Sequence, residues 1–213
     1  MQLIGMYDSP FVRRVAIALK LWGIEFEHRL WSVFRDAEHV ARFNPLIRVP
    51  TLVLDDGETL LDSNAIIDAL DDIVGPARAL MPTEGAPRRK HLRICALACG
   101  VGDKVVSLIY ERAVHQRQTP AWIARCNTQI AGALDVLEKE CRSNASPWWF
   151  GESIGHADIA VACVLTLAVE ALQFHLEAGR WPALRAQREK CEARPEFIEI
   201  SQPFFAPPPK EIR

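Results

Sequence analysis

The segment from residue 49 to residue 63 constrains the fold more than any other, because it predicts a β-hairpin that leads directly into a helix. Residues 51–54 and 59–61 are short runs of strand-forming side chains. Asp56-Gly57 between them is typical of a tight turn, which needs residues that tolerate positive φ. The two runs are therefore predicted to pair as antiparallel strands.

Val49-Pro50 stands immediately before this hairpin. Pro50 removes one backbone donor at a place where a neighbouring strand could otherwise pair. A cis bond between the two residues would turn the chain sharply and direct the N–H and C=O of Val49 out of the sheet. An extended ligand backbone could then pair with Val49, as in β-augmentation. The sequence therefore predicts a groove for a short peptide.

Asp62-Ser63 follows the second predicted strand, and apolar residues then recur at helical spacing over residues 65–70. Ser63 is predicted to be the N-cap of this helix. A helix N-terminus with free N–H groups and a hydroxyl suits a carboxylate, whereas Asp62 suits an ammonium group. Together they fit the head of an α-amino acid. The alternative is that Ser63 only caps and Asp62 only complements the helix dipole.

A second helix start that could take part in catalysis lies near the N-terminus. Residues 2–7 are predicted to form a strand, and Pro10 falls at the N1 position of the following helix, which makes Ser9 its N-cap. A thiolate could sit at this positive helix end, since a donor hydroxyl and helix N–H groups can lower a thiol pKa from its usual value of about 8.5. The alternative for Ser9 is a purely structural cap.

The proline- and glycine-containing segment 75–87 separates two halves with different patterns, which predicts a linker. Before it, strands and helices alternate, and one helix is expected from about Trp31 to Phe43. After it, apolar residues recur three and four positions apart over 92–113 and again over 123–141, which predicts long helices. The chain is therefore expected to be α/β in its first half and all-α in its second.

Several motifs in this order make the chain resemble cytosolic glutathione S-transferases, particularly bacterial members with a serine at the active site. The motifs are SPFVRR at residues 9–14, Asn44-Pro45 before Val49-Pro50, Asp62-Ser63, and GHADI at residues 155–159. The resemblance covers nearly the whole chain. It implies an N-terminal thioredoxin-like domain, placed at residues 1–80, followed by an all-helical C-terminal domain at residues 87–213, and a homodimer.

The resemblance also implies roles for single residues toward glutathione, which would be a co-substrate, with no other cofactor. Ser9 would activate its thiol. Val49, beside Pro50, would pair with the backbone of its cysteinyl residue. Asp62 and Ser63 would hold its γ-glutamyl end.

Three departures from the family's pattern qualify these roles. Ile47, between Leu46 and Arg48, stands where many relatives have glycine or histidine, and it cannot bind a carboxylate. Arg48 is then the candidate for the glycyl carboxylate of glutathione, because a guanidinium group suits carboxylates, although a surface role is the alternative. Asp62 stands where glutamate is commoner, which shortens its reach by one methylene. Gly155 stands where a serine or threonine cap is usual, and we expect its helix to form nevertheless and to be structural.

The second substrate is expected between the domains, against the helix that follows Ser9 and the first long helix of the second half. The candidate residues for its pocket are Phe11, Val106, Tyr110 and Ala113. An apolar pocket beside a thiolate suits a hydrophobic electrophile, but the same helical spacing is typical of a core. Tyr7 is a rival to Ser9 as the donor to the sulfur. Ser9 is preferred because it aligns with the helix start.

The composition excludes several classes of protein. The chain has 213 residues, of which 49% are hydrophobic and 24% charged, values typical of soluble globular proteins, and its net charge of −2 predicts no binding to nucleic acid. The longest apolar stretch, residues 157–172, is too short and too acidic to span a membrane. Six cysteines without C-x-x-C spacing indicate a reducing, cytoplasmic compartment. No metal is expected, because no histidine cluster completes a site at Cys95 and Cys99.

Three functions stay open at this point. In the first, the protein is a transferase for detoxification, which conjugates glutathione to a hydrophobic electrophile while Ser9 stabilises the thiolate. In the second, it is a glutathione-dependent isomerase, whereas disulfide chemistry is disfavoured because related classes with that activity carry cysteine at the position of Ser9. In the third, it is a binding or regulatory protein that kept the fold without turnover, which Ile47 favours.

Overall fold

The computed structural model describes residues 1–115, 117–173 and 179–206, which form four strands and eight helices. The strands are β1 (Gln2–Ile4), β2 (Glu27–Arg29), β3 (Thr51–Val53) and β4 (Thr59–Leu61). The helices are α1 (Pro10–Trp22), α2 (Ala37–Ala41), α3 (Ser63–Val74), α4 (Gly85–Ala113), α5 (Pro120–Arg142), α6 (His156–Leu172), α7 (Pro182–Glu192) and α8 (Pro195–Glu199).

The four strands form one mixed sheet in the order β2-β1-β3-β4. Strands β1 and β2 are parallel, as their connection through α1 requires, and β3 lies antiparallel to both β1 and β4. The predicted hairpin is confirmed: Leu52 lies opposite Leu60, and Gly57 adopts a φ of 91° in the turn, which favours glycine. With α1 and α3 packed against each other, this half has the expected thioredoxin-like architecture.

The helix expected from about Trp31 to Phe43 is shorter than predicted, because α2 spans only Ala37–Ala41. The preceding residues close into a turn in which Asp36 bonds Ser32 twice. The Ser32 N–H donates to the Asp36 carboxylate at 2.8 Å, and the Asp36 N–H donates to the Ser32 carbonyl at 2.8 Å. These local bonds compete with helix formation, as short polar side chains commonly do. The loop before α2 is thereby left to border the cleft between the two halves.

The second half is helical as expected, and α6 is its most buried element. Residues 156–168 are all buried, because this helix contributes side chains to two apolar cores. Ile159 and Ala162 join the core that contains the inner side chains of α1 and α3, whereas Val161 and Val164 join the core between α4 and α5. Among the helices of the described ranges, none is long and apolar enough to cross a membrane. The long apolar run is therefore a core helix that joins the two halves.

Gly155 is the N-cap of α6, and the expectation that the helix survives a glycine cap is confirmed. The Asp158 carboxylate accepts hydrogen bonds from the N–H groups of Gly155 at 3.0 Å and Trp149 at 3.1 Å. Burial raises the pKa of Asp158 to about 6. A Cβ atom at Gly155 would lie 2.7 Å from the carbonyl oxygen of Leu80. Glycine replaces the usual serine or threonine here because the chain between α3 and α4 passes too close to this position to leave room for a side chain.

The predicted linker corresponds to the chain between Val74, the last residue of α3, and Gly85, the first residue of α4. The domain bounds 1–80 and 87–213 stay a prediction, since the second range extends beyond the residues that the structure describes. Helix α4 is continuous over its full length. It supplies one wall of the cleft that faces the N-terminal half.

Candidate functional site

A cleft opens between the N-terminal half and α4, and it gathers most of the predicted site residues. The predicted residues that line it are Ser9, Phe11, Arg48, Val49, Val106 and Tyr110. The other four, Pro50, Asp62, Ser63 and Ala113, are not among its lining residues. The empty space of this cleft, which includes open solvent at its mouth, is about 930 Å³.

Ser9 occupies the N-cap of α1, with Pro10 in the first turn, as predicted. Its Oγ accepts the N–H of Val12 at 3.5 Å, a long distance that makes this capping bond weak. The Ser9 hydroxyl donates to no other residue in the described part of the chain. Its proton is therefore available to a ligand atom at the positive end of the helix.

Gly5 allows three segments to converge at this helix start, a role that was not predicted. The first strand was predicted to reach residue 7 but ends at Ile4, because Gly5 adopts a φ of 131° that other residues rarely take. A Cβ atom at Gly5 would lie 2.5 Å from Val12 and 2.8 Å from Val49. A glycine directly after a predicted strand was the available signal. Only glycine lets the strand end, α1 and the loop before β3 meet here.

The loop before β3 is braced by Asn44, which is 2% exposed. Its side-chain NH₂ donates to the carbonyl of Arg48 at 2.8 Å, and its Oδ1 accepts the N–H of Leu46 at 3.0 Å. The Val49-Pro50 peptide bond is cis, as the sequence analysis considered. Neither the N–H nor the C=O of Val49 pairs with another backbone group among the described residues. The backbone of Val49 is thus presented at the cleft in a fixed loop, unpaired.

The prediction that Ser63 caps α3 is wrong, because the N-cap is Asp62. Asp62 adopts a φ of 67° and a ψ of 130°, outside the left-handed helical region, and its Oδ1 accepts the N–H of Asn64 at 2.8 Å. Ser63 is then the first helical residue, with its hydroxyl turned inward toward Arg14. Burial and then the charge of Asp62 raise the pKa of Asp103, a cleft residue, while Arg48 lowers it. The start of α3 therefore lies within electrostatic range of the cleft.

Tyr7 points away from this cleft. Its ring stacks on His28 with centroids 3.9 Å apart and an interplanar angle of 8°. Burial, with a smaller contribution from Glu199, raises the pKa of the Tyr7 phenol to about 12. Tyr7 lines a separate polar cavity near Arg13, whereas Ser9 lines the cleft. Its orientation gives it no contact with the space beside Ser9.

Aromatic side chains form the outer wall of the cleft, and most of them were not predicted. Trp31 and Phe34 come from the loop before α2, and the Phe34 ring meets the Tyr110 ring edge-on at 5.4 Å. Phe204 and Phe205 come from the segment that follows α8. Phe11 lies against Gly102, where a Cβ atom would be 3.1 Å from its ring. The sequence signal for Trp31 and Phe34 was hidden by the helix wrongly expected there.

The segment 201–206 borders the cleft and is held by four contacts, of which one is the Tyr7 N–H that donates to the Gln202 Oε1 at 3.1 Å. The Phe205 N–H donates to the Asp8 carboxylate at 3.1 Å, and the Phe204 N–H donates to the Glu170 carboxylate at 3.2 Å. The Arg35 guanidinium lies 4.5 Å from the centre of the Phe205 ring. Burial raises the pKa of the Asp8 carboxyl, although its hydrogen bonds to backbone N–H groups lower it. This segment closes one side of the cleft with two phenyl rings.

The charged side chains that line the cleft are one arginine and two aspartates. Arg48 and Asp103 approach each other across it at 3.9 Å, and both side chains are more than half exposed. Asp8 adds a second carboxylate. Exposed pairs at such a distance contribute little energy, so Arg48 is free to turn toward a ligand carboxylate. The cleft thus offers one exposed cation beside its aromatic side chains.

The six cysteines are all free thiols, and all but Cys141 are buried. Burial raises the pKa of Cys95 to about 11, which opposes the thiolate that metal binding requires. Across the ranges that the structure covers, no group of three or more His, Cys, Asp and Glu side chains is arranged to hold a metal ion.

Comparisons with known proteins agree with this architecture. The family model for the glutathione S-transferase N-terminal domain matches residues 3–78, and the model for the glutathione S-transferase C-terminal domain matches residues 120–188. The uncharacterized GST-like protein YibF of Escherichia coli K12 is 31% identical over 207 residues, covering 97% of this chain and 94% of that protein. Maleylacetoacetate isomerase of Pseudomonas aeruginosa is 30% identical over 207 residues, covering 92% of this chain and 93% of that protein.

Solved structures with the same fold include two bacterial glutathione S-transferases. The enzyme of Methylobacterium radiotolerans, in complex with glutathione sulfonate, superposes with a TM-score of 0.84 at 28% identity, covering 100% of this chain and 97% of that chain. The enzyme of Methylobacillus flagellatus, with GSH bound, gives a TM-score of 0.85 at 29% identity, covering 95% of this chain and 99% of that chain. Both likenesses extend over the two halves of the chain.

Proposed function

The chain belongs to the glutathione S-transferase family, and we propose that it binds glutathione and transfers its thiol to a small hydrophobic electrophile. The observation that carries this proposal is the position of Ser9. Its hydroxyl proton is uncommitted, it stands at the N-terminus of α1, and it faces a cleft with an aromatic wall. A thiolate placed there receives one hydrogen bond and the field of a helix end.

The tripeptide is bound, in this proposal, by groups that the fold already holds in place. The unpaired backbone of Val49 pairs with the cysteinyl residue, with Pro50 buried behind it. The N-terminus of α3, with Ser63 and Asp62, takes the carboxylate and the ammonium group of the γ-glutamyl residue. The exposed guanidinium of Arg48 takes the glycyl carboxylate, because exposed Arg side chains pair readily with carboxylates.

The reaction then needs one proton transfer and one substitution. The glutathione thiol loses its proton to solvent, and the Ser9 O–H donates to the resulting thiolate, which lowers the thiol pKa. The sulfur attacks the electrophilic carbon of the acceptor, forming the C–S bond while the leaving group departs with its electron pair. Ser9 stays protonated throughout, so it is a hydrogen-bond donor rather than a general base.

The acceptor proposed for the cleft is a neutral, planar aromatic compound. Phe34, Tyr110 and Phe205 offer ring faces and edges, and stacked or edge-on ring pairs contribute about 0.5–1.5 kcal/mol beyond area burial. The carboxylates of Asp8 and Asp103 oppose a second anion, since Arg48 is the one arginine or lysine among the lining residues of the described chain. The acceptor pocket therefore favours uncharged electrophiles.

A glutathione-dependent isomerase is the second candidate, and the likeness to maleylacetoacetate isomerases favours it. An acetoacetate derivative is anionic at neutral pH, and it would meet Asp8 and Asp103 in this cleft. Because Arg48 is also proposed for the glycyl carboxylate, no second cation remains for such a substrate among the lining residues described. The charge of the cleft is the reason that we place transfer before isomerisation.

The experiment compares the two reactions on one preparation of the protein. The chain is expected to be retained on immobilised glutathione and to conjugate glutathione to chlorodinitrobenzene faster than it isomerises maleylacetoacetate. A Tyr7→Phe variant is expected to keep the wild-type conjugation rate. Isomerisation without conjugation would favour the second candidate. Retention without either reaction would favour a binding or regulatory protein.

The homodimer and the reducing compartment are part of the same proposal. Gel filtration with light scattering is expected to give twice the chain mass. The five buried thiols are consistent with a reducing compartment, because nothing in the described chain pairs them as disulfides. A monomer that conjugates glutathione at full rate would remove the dimer from the proposal and leave the chemistry intact.

A further inference from the structure

Two consecutive arginines of α1 are both buried, and they bind different parts of the protein. Arg13 is 5% exposed and binds both carboxylate oxygens of Glu192 at 2.7 Å. It also donates to the carbonyl groups of Phe197 at 2.9 Å and Ile200 at 2.8 Å. Its charge is compensated, and it secures the C-terminal helices to α1.

Arg14 is more deeply buried, at 2% exposure, and its partners carry no charge. One of its terminal nitrogens, Nη1, donates to the Asn64 Oδ1 at 2.8 Å, to the Cys99 Sγ at 3.0 Å and to the Ser63 Oγ at 3.3 Å. Its Nε is buried and has no partner among the described residues. Two of the three acceptors belong to the first turn of α3.

This guanidinium has no counter-ion in the part of the chain that the structure covers. No carboxylate there forms an ion pair with Arg14, and the Asp62 carboxylate accepts the Asn64 N–H instead. Burial raises the pKa of the Cys99 thiol above its usual value, although Arg14 lowers it, so this sulfur does not supply the missing negative charge. A buried cation without an anion is costly, which makes a ligand anion near α3 favourable.

The hydrogen bonds around Ser63 show how Arg14 can act on such a ligand. A hydroxyl group has one proton and two lone pairs. Since Arg14 donates to a lone pair of the Ser63 Oγ, the Ser63 proton is directed away from the guanidinium. The Ser63 N–H is likewise without a partner among the described backbone groups. The O–H and the N–H of Ser63 are then both free to donate at the start of α3, next to the positive charge of Arg14.

We propose that Arg14 is a positioning residue that prepares the N-terminus of α3 for the α-carboxylate of the γ-glutamyl residue. It fixes the Ser63 hydroxyl as a donor, orders the Asn64 side chain and supplies the charge that the carboxylate completes. Arg14 acts through Ser63 and does not itself contact glutathione. The inference rests on the proposed function, because it assumes that glutathione is the ligand.

The test measures the coupling between Arg14 and one group of the ligand. Dissociation constants are determined by calorimetry for S-methylglutathione, for its analogue with a 4-aminobutanoyl group that lacks the α-carboxylate, and for its glutaryl analogue that lacks the amino group. In Arg14→Met the affinity ratio between the first two ligands is expected to shrink about tenfold relative to wild type, as coupled groups in contact networks do. The affinity ratio between S-methylglutathione and the glutaryl analogue, which reports the amino group, is expected to stay within about twofold of the wild-type value.

Arg13→Met is the matched control, because it removes an equally buried guanidinium from the same helix. It is expected to lower the melting temperature while leaving the carboxylate ratio at the wild-type value. Should Arg14→Met not fold, Arg14→Lys replaces it, because lysine keeps the charge and cannot bridge Asn64 and Ser63. A reduced ratio in Arg14→Lys supports the proposal. In turnover, the KM for glutathione is expected to rise while kcat changes by less than about threefold.

The possible failures are distinguishable. Wild-type protein that binds none of the three ligands would contradict the proposed function itself. If the wild type binds and Arg14→Met, or Arg14→Lys in its place, keeps the full carboxylate ratio, only the role of Arg14 is overturned. The same holds if Arg13→Met reduces the ratio as much as the Arg14 variant does.

Discussion

The two sides of the cleft are built by different means. On the proposed glutathione side, the groups assigned to the ligand belong to the backbone or to short side chains, and buried contacts hold them: Gly5 beside Val49, and Asn44 behind the loop. On the acceptor side, half-exposed rings such as Phe34 and Phe205 are held by a few ring contacts and single hydrogen bonds. The first side is fixed by packing, whereas the second can change shape with single side chains.

This difference suggests a division of labour between the two sides. Activation of a thiol needs donors within a few tenths of an ångström of their places, which buried loops supply. Accepting varied electrophiles needs apolar area without strict directionality, which aromatic side chains supply. Substitutions on the first side should therefore change the rate of thiol chemistry with any acceptor. Substitutions on the second should change which acceptor is used.

Ser9→Ala tests the glutathione side and should have the largest effect. We expect kcat with chlorodinitrobenzene to fall about 100- to 1,000-fold, as when one donor to a developing anion is removed. Affinity for S-methylglutathione should change by less than about threefold, because the donor acts on the thiolate that this ligand lacks. Steady-state kinetics and calorimetry provide the two values.

The pH profile separates this role of Ser9 from a structural cap. We expect the thiol pKa of bound glutathione to be lowered in the wild type and to rise toward its free value in Ser9→Ala. The rate deficit should therefore be greatest at low pH and shrink as the pH passes above about 8.5, where any thiol is ionised. A deficit that is equal at every pH would assign Ser9 to helix stability instead.

Replacing both rings of the C-terminal segment, Phe204→Ala with Phe205→Ala, tests the acceptor side. We expect kcat/KM for an aromatic electrophile to fall about tenfold, since losing apolar contact area in a pocket costs factors of this size. The dissociation constant of S-methylglutathione should not change. Ile198→Ala, an exposed residue of α8 outside the cleft, is the control. Loss of glutathione affinity in the double variant would show that the two sides are not independent.

Two glycines of α4 give the smallest and most selective test. A Cβ at Gly102 would lie 3.1 Å from both the Phe11 ring and Val164, whereas one at Gly100 would meet nothing within 4 Å. In Gly102→Ala, half-buried Phe11 should shift into the cleft and raise the acceptor KM about threefold, because overpacking moves the more mobile neighbour. Gly100→Ala should instead stabilise the helix by about 0.5–1 kcal/mol with unchanged kinetics. Thermal unfolding measures the stability of both variants, and steady-state kinetics measures their acceptor KM.

If both glycine variants change the acceptor KM equally, general rigidity of α4 rather than the Phe11 contact would be responsible. If Gly102→Ala changes the glutathione KM and leaves the acceptor KM unchanged, the division between the two sides would be wrong at this contact. Either outcome would mean that the contact between Phe11 and α4 does not belong to the acceptor side.

The sequence predicted the features that depend on local chemistry. Ser9 followed by Pro10 specifies a helix start through capping and the fixed φ of proline, and Asp56-Gly57 specifies a tight turn between strands. Such signals act within a few residues, so they survive whatever the rest of the chain does. The helix start at Ser9 and the hairpin after Val49 were predictable because they are helix ends and turns of this kind.

The acceptor side was not predictable in the same way, because its residues come together only through the tertiary fold. Phe205 binds the carboxylate of Asp8 across 197 positions of sequence, and no periodic pattern marks the segment that carries it. Ser63 was mistaken for the cap of α3 because Asp62 is an equally good capping residue and only its φ of 67° decides between them. Arg13 and Arg14 are adjacent in sequence, so their opposite environments depend on α3 and α7.

The most direct test of the account is a crystal structure of the protein with glutathione bound. We expect the sulfur within hydrogen-bond distance of the Ser9 Oγ, the cysteinyl backbone paired with Val49 and the γ-glutamyl carboxylate at Ser63. A sulfur bound by the Tyr7 phenol, or a tripeptide that leaves the Val49 backbone unpaired, would contradict it.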